Sequence, residues 1–150
     1  VVDQQTLITL IFALLSTRFI DDTIYTEAKY IHSDEFLFHT FGDDYPWIEF
    51  YFRTALVIKS VTLTLRKIPH CSREHDIMVT VGSRMTNRVC GQQTPFLDGE
   101  MCTNLILTIH CQVPTVANYI KLNITKLIDC EEHSCCEMKN CFNFKGITFN

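Results

Sequence analysis

Several things are missing from this sequence. No cluster of lysines and arginines occurs, and the formal net charge is −4, which excludes a basic nucleic-acid or anionic-membrane footprint as the organising feature. No apolar run approaches the ~20 residues that cross a bilayer. The longest, Leu7–Leu15 (LITLIFALL), fits a buried strand or helix at the start of the fold, or the apolar segment of a leader, although no basic residue precedes it. The G-x-S-x-G, H-E-x-x-H and P-loop signatures are absent. The adjacent carboxylates Asp43-Asp44 and Glu131-Glu132 would point to opposite faces of a strand, so neither makes an acid–base pair. The chain therefore reads as a non-enzyme. It also lacks an internal repeat, a linker and a βαβ alternation. Its 150 residues suggest one domain, or one domain with an appendage.

What is present is period-two alternation. Ile48, Phe50 and Phe52 alternate with Glu49, Tyr51 and Arg53. Val57, Val61, Leu63 and Leu65 share one face, and Ser60, Thr62, Thr64 and Arg66 the other. Ile77, Val79 and Val81 form a third run, Leu105, Leu107, Ile109 and Cys111 a fourth, and Ile120, Leu122 and Ile124 a fifth. Short half-buried strands of this kind predict an all-β, antiparallel sandwich or barrel. Gly42-Asp43-Asp44, Pro69, Gly82-Ser83, Gly91, Asp98-Gly99 and Pro114 supply turns between them. Trp47, beside Ile48, is expected in the core. Arg66 ends its strand on the polar face, beside a loop.

Eight cysteines in 150 residues, with 47% hydrophobic residues, fit a disulfide framework around a real core in an oxidising, secreted setting. The sequon Asn123-Ile124-Thr125 agrees with secretion and lies on a polar strand face. From Cys130 onward the chain is cysteine-dense and shows no strong periodicity. It reads as a disulfide-pinned tail, with zinc binding by Cys130, Cys135, Cys136, Cys141 and His133 as the rival.

One constellation stands out. His39 precedes Pro46-Trp47 at the opening of a strand, Arg66 ends the next run, and Arg73 follows after a short loop. With VTVG (79–82), NRVCG (87–91), LTIHC (107–111), NYIKLNI (118–124) and LIDCEE (127–132), this pattern resembles the F-type lectins, or fucolectins, within the galactose-binding-like superfamily. The resemblance covers roughly residues 16–132, leaving 1–15 as an apolar N-terminal segment and 133–150 as the cysteine-rich tail. It implies a disulfide-containing β-sandwich jelly roll that binds terminal fucose through His39, Arg66 and Arg73. Arginine offers a planar fork of donors and neutral histidine can donate or accept, which suits sugar oxygens. Tyr45, Phe41 or His70 would receive the fucose methyl. The resemblance also implies a Cys90–Cys111 disulfide and a structural Ca2+ held in part by Asp21, Thr23 and Glu131. Cys71–Cys102 is a further, loop-to-loop option. Fucosylated glycans would be the partners, with homo-oligomers a route to avidity and neither nucleic acid nor membrane insertion involved. Some positions differ from the family pattern. Leu37, Ile68, Pro69 and His70 replace its usual cysteine, aspartate and vicinal cysteine pair, and Arg18 replaces an asparagine. A sandwich that keeps the scaffold without the sugar site is the alternative reading.

Overall fold

The computed structural model describes residues 10–15, 38–39, 42–66, 73–93, 105–130 and 138–150. They form β1 (Leu10–Leu15), β2 (Phe38–His39), β3 (Trp47–Leu65), β4 (Ile77–Gly82), β5 (Asn87–Gln92), β6 (Ile106–Ile124) and β7 (Asn143–Phe149). Every strand pairing is antiparallel. The strand order is β2-β7-β3-β6-β4-β5, and β1 adds to β3 off that path. The expected all-β antiparallel class is the class found.

The organising pair is β3 with β6, each 19 residues long. Both bend together and run through both layers. The start of β3 pairs with the end of β6, Trp47 opposite Asn123, while β3 ends with Thr64 opposite Ile106. The sheet then folds over on itself. β5 has β4 as its ladder neighbour, yet Cys90 of β5 is disulfide-bonded to Cys111 in the first half of β6. At the same crossing Gly91 lies so close to the His110 carbonyl that a β-carbon would overlap it. Only glycine allows two backbones to approach this closely.

The alternation predicted the core well where strands are regular. Ile48, Phe50, Ile77, Val79, Val81, Ile120, Leu122 and Ile124 are fully buried. Four expectations change, each for a local reason. First, two pairs of predicted short strands are in fact β3 and β6. Pro114 does not end a strand. It falls where the β3–β6 register slips between Ile58/Thr115 and Ser60/His110, and such a bulge requires no ladder donor from it. Second, the slip also reverses the facing of side chains. Val57 is exposed and Ile58 is buried, opposite to the predicted parity. Third, Trp47 has the parity of Glu49 and Tyr51. It is half-buried on the outer face, with the Lys121 ammonium 5.1 Å from its ring centre. Fourth, Asn143–Phe149, in the segment expected to be a disulfide-pinned tail without strong periodicity, is β7, between β2 and β3. Phe144, Ile147 and Phe149 are buried in the common core.

Leu10–Leu15 is strand β1, paired with β3. Cys130 and Cys141 are disulfide-bonded, so neither sulfur offers a thiolate to zinc. Among the described residues no group of three or more His, Cys, Asp or Glu could hold a metal. Among the described residues no helix is long and apolar enough to cross a membrane.

Candidate functional site

The strand register brings two of the predicted positions, His39 and Arg66, to one end of the sandwich. In β2, His39 pairs with Asn143 of β7 and Phe38 pairs with Phe144. Phe144 in turn pairs with Leu65 of β3, and Arg66 is the next residue along. Positions 39, 143 and 66 therefore continue one row across three neighbouring strands. Adjacent strands are about 4.8 Å apart, so the backbones of His39 and Arg66 lie roughly 10 Å apart. The His39 side chain is outside the described residues, as are Phe41, His70, Cys71, Cys102, Asp21, Thr23 and Glu131.

Arg66 follows the last residue of β3 and is half-exposed. Arg73 begins the short segment leading into β4 and is only 8% exposed. The two are close enough for their charges to interact. Burial draws the Arg73 guanidinium below the ordinary arginine range; the adjacent Glu74 carboxylate opposes this, and the Arg66 charge adds to it. Glu74 is fully buried. Its charge compensates a cation that burial alone would disfavour.

The rest of this end is tied together by one residue. The backbone carbonyl of Asn140 accepts from the Asp43 amide at 2.8 Å. Its side-chain NH2 donates to the carbonyls of Asp44 at 2.6 Å and Lys126 at 2.8 Å. Those two carbonyls fix the orientation of the amide, so Oδ1 faces His75 Nε2, 2.8 Å away. His75 Nδ1 lies 3.0 Å from Asp76 Oδ2, and Lys126 Nζ lies 3.0 Å from Asp76 Oδ1. Both ring nitrogens of His75 thus face oxygen atoms, one from Asn140 and one from Asp76. The Asp76 carbonyl accepts from the amide and the hydroxyl of Thr125, the last residue of the sequon. Asn123 itself is half-buried in central strand β6, opposite Trp47 and Met78.

Asn140 therefore joins the segment after β2 to the segment carrying Arg73. Burial would raise the Asp76 carboxyl, but the hydrogen bonds and charges of His75 and Lys126 outweigh it and hold the group below the usual carboxylate range. Sequence reasoning missed these four residues. His75-Asp76 just ahead of a strand was a visible local signal. Asn140, 65 positions from His75, gave none.

Comparison with known proteins places this geometry. The fucolectin from striped bass serum superposes with a TM-score of 0.65 over 96% of this chain, at 14% identity. The chain has the fold of the F-type lectins. It spans 47% of that fucolectin chain. The lectin domain of lectinolysin, solved in complex with Lewis B antigen, superposes with a TM-score of 0.64 at 14% identity, covering 97% of this chain and 95% of the other. A family 32 carbohydrate-binding module from C. perfringens NanJ, solved with galactose, gives a TM-score of 0.64 at 11% identity over 94% and 97% of the two chains. No family model and no curated protein sequence matches the chain. The F-type lectin fold is thus shared at low identity by sugar-binding lectins and modules.

Proposed function

We propose that this chain is a secreted, non-catalytic carbohydrate-binding lectin domain that recognises terminal fucose with His39, Arg66 and Arg73. The observation that supports this reading most directly is the convergence of two arginines, more than six residues apart in sequence, at one end of the sandwich, in line with the strand that carries His39. Half-exposed Arg66 would offer the donor fork to sugar oxygens. Arg73, largely withdrawn from solvent, would supply charge and orient the site more than it presents surface. Tyr45, exposed on the neighbouring segment, is a candidate surface for an apolar sugar face. Eight cysteines agree with secretion.

A glycan array with the wild-type chain and Arg66→Ala tests the proposal. Fucose-dependent binding that falls by about ten- to a hundredfold in the variant, the usual effect of removing a charged donor, supports it. Absence of glycan binding by well-folded wild type refutes it and leaves the alternative, a jelly-roll adhesion or structural domain. The burial of Arg73 is the observation that favours that alternative. Asp21, Thr23 and Glu131 are the proposed Ca2+ ligands; they offer the oxygen donors that this ion prefers. Thermal melts with Ca2+ and with a chelator should differ in midpoint, and coincident melts would remove the metal from the proposal.

A further inference from the structure

A second feature lies at the other end of the sandwich. β4 begins at Ile77, next to Asp76 and the network above, and ends at Gly82. Its six residues at about 3.3 Å each place the β4–β5 turn roughly 20 Å from that network. The turn is closed tightly. Ser83 N donates to the Thr86 carbonyl at 2.8 Å, and Thr86 N donates to the Ser83 hydroxyl at 2.9 Å. Gly82 has φ of 144°, and a β-carbon there would come within 2.5 Å of the Thr86 carbonyl oxygen, so this turn requires glycine.

Between this turn and β6 is a cavity of about 400 Å³ lined by Val81, Gly82, Ser83, Asn87, Arg88 and Thr115, with Thr86 and Val116 completing it. That size falls in the ~300–1,000 Å³ range of small-ligand sites. Arg88 is held in a definite pose. Its Nε and Nη2 donate to the same Thr115 hydroxyl oxygen at 3.0 and 2.5 Å. That hydroxyl in turn donates to the Val113 carbonyl at 3.0 Å. Arg88 and the exposed Arg84 have no carboxylate within ion-pair distance among the described residues. The local sequence explains this. β4, β5 and β6 contain none of the chain's 17 aspartates and glutamates. Glu49 of β3, held by the Tyr51 and Tyr119 hydroxyls, lies on the face that the Arg84 charge reaches, whereas Arg88, braced on Thr115, has no carboxylate on its own strand or its ladder neighbours. Beside it are Ser83 and Asn87 as polar groups and Val116, 65% exposed, as an apolar wall.

We infer that this cavity is a second ligand site, which takes an anionic saccharide through its sulfate or carboxylate. Arg88 binds the anion, Ser83 and Asn87 engage neighbouring hydroxyls, and Val116 packs against the sugar's C–H face. From the proposed function the inference takes only the saccharide nature of the ligand; the residues and the end of the molecule are different. A guanidinium held by one acceptor keeps its remaining N–H edge available, and its fixed orientation reduces the entropy lost on binding.

Amide chemical-shift mapping of the isotope-labelled full chain tests the inference. The probes are galactose 6-sulfate, galacturonic acid, galactose, and inorganic sulfate at matched ionic strength. At least one of the two acidic sugars should shift the amides of residues 83–88 and 115–116, with little effect from galactose. Which of them does so distinguishes sulfate from carboxylate. Arg88→Gln should weaken that response by about ten- to a hundredfold. Arg88→Lys, which keeps the charge but not the fork, should fall in between. Arg66→Ala should leave it unchanged, so loss of the first site and loss of this one are separable. No shift at residues 83–88 with either acidic sugar overturns the inference, as does an unchanged response in Arg88→Gln. An equal response to inorganic sulfate would mean an adventitious ion only, and would overturn it too.

Discussion

Asn140 has no exposed surface, and its four hydrogen bonds reach three other segments of the chain. Replacing it by alanine would strand two carbonyls, one ring N–H and the space between them. Buried groups left without a partner cost about 1–3 kcal/mol each, and relaxation or water entry recovers part of that. Asn140→Ala is therefore expected to lose about 2–4 kcal/mol of stability in urea unfolding. A loss below about 0.5 kcal/mol would mean that the residue does not join these segments. Asp76 carries the pH dependence of the same network. Its folded-state value is depressed, so its contribution is fully present above the unfolded carboxylate value of ~3.9 and disappears as pH falls through the lower folded value. Urea midpoints measured from pH 7 down to pH 3 should therefore drop less steeply in Asp76→Asn than in the wild type, and Asp76→Asn should already be less stable at pH 7. Parallel profiles would exclude Asp76 as the source. At this scale the sequence was partly readable. Arg66 and Arg73 could be placed because one ends an alternating run and the other follows a short loop. Asn140 could not, because a buried asparagine is defined by partners that only the tertiary fold supplies.

The elements that were hardest to read are those with a phase slip. β7 contains Phe144, Ile147 and Phe149, with an odd spacing of three between the first two. The reason is a bulge. Thr64 pairs with Gly146 but Leu65 pairs with Phe144, so Lys145 is an extra residue, and period two fails across it. The same kind of slip at Lys59 in β3 put Val57 outside and Ile58 inside. Regular β4, by contrast, alternates from end to end with burial as expected. Alternation reports facing only as long as the ladder is unbroken, and the bent β3–β6 pair breaks it where the layers meet. Despite its irregularity β7 is a core element. The Phe149 ring packs edge-on against Phe50 and Phe52, both at 5.2 Å between centroids. Phe149→Ala should cost about 3–5 kcal/mol, as a fully buried aromatic truncation does, read as a lower urea midpoint with an unchanged slope. A cost near zero would place the C-terminal strand outside the cooperative unit.

For the whole molecule, charge and topology divide the sandwich into two ends. Asp44, Glu74 and Asp76 lie with Arg66, Arg73, His75 and Lys126 at one end, where opposite charges compensate in a braced network. Arg84 and Arg88 lie at the other, on a turn and strands that contain no carboxylate, with Glu49 of β3, bound by Tyr51 and Tyr119, on the face that Arg84 reaches. The rigid β4–β6 ladder between them has Ile77 opposite Ile124 at one limit and Gly82 opposite Tyr119 at the other. Charges roughly 20 Å apart across aqueous surroundings are screened beyond the Debye length of ~8 Å at physiological salt. Sites more than about 7–10 Å apart without shared partners are additive within roughly 0.3–0.5 kcal/mol. The two ends should therefore bind independently. In titrations of the wild type, Arg66→Ala, Arg88→Gln and the double variant, the effect of Arg66→Ala on a neutral fucosylated glycan should be the same in both backgrounds. The effect of Arg88→Gln on an acidic sugar should likewise be unchanged by Arg66→Ala. Raising salt should weaken the acidic sugar far more than the neutral one, because only the former closes an ion pair. A coupling above about 1 kcal/mol would show that the β4–β6 ladder transmits a change between the ends, and that the two sites act as one.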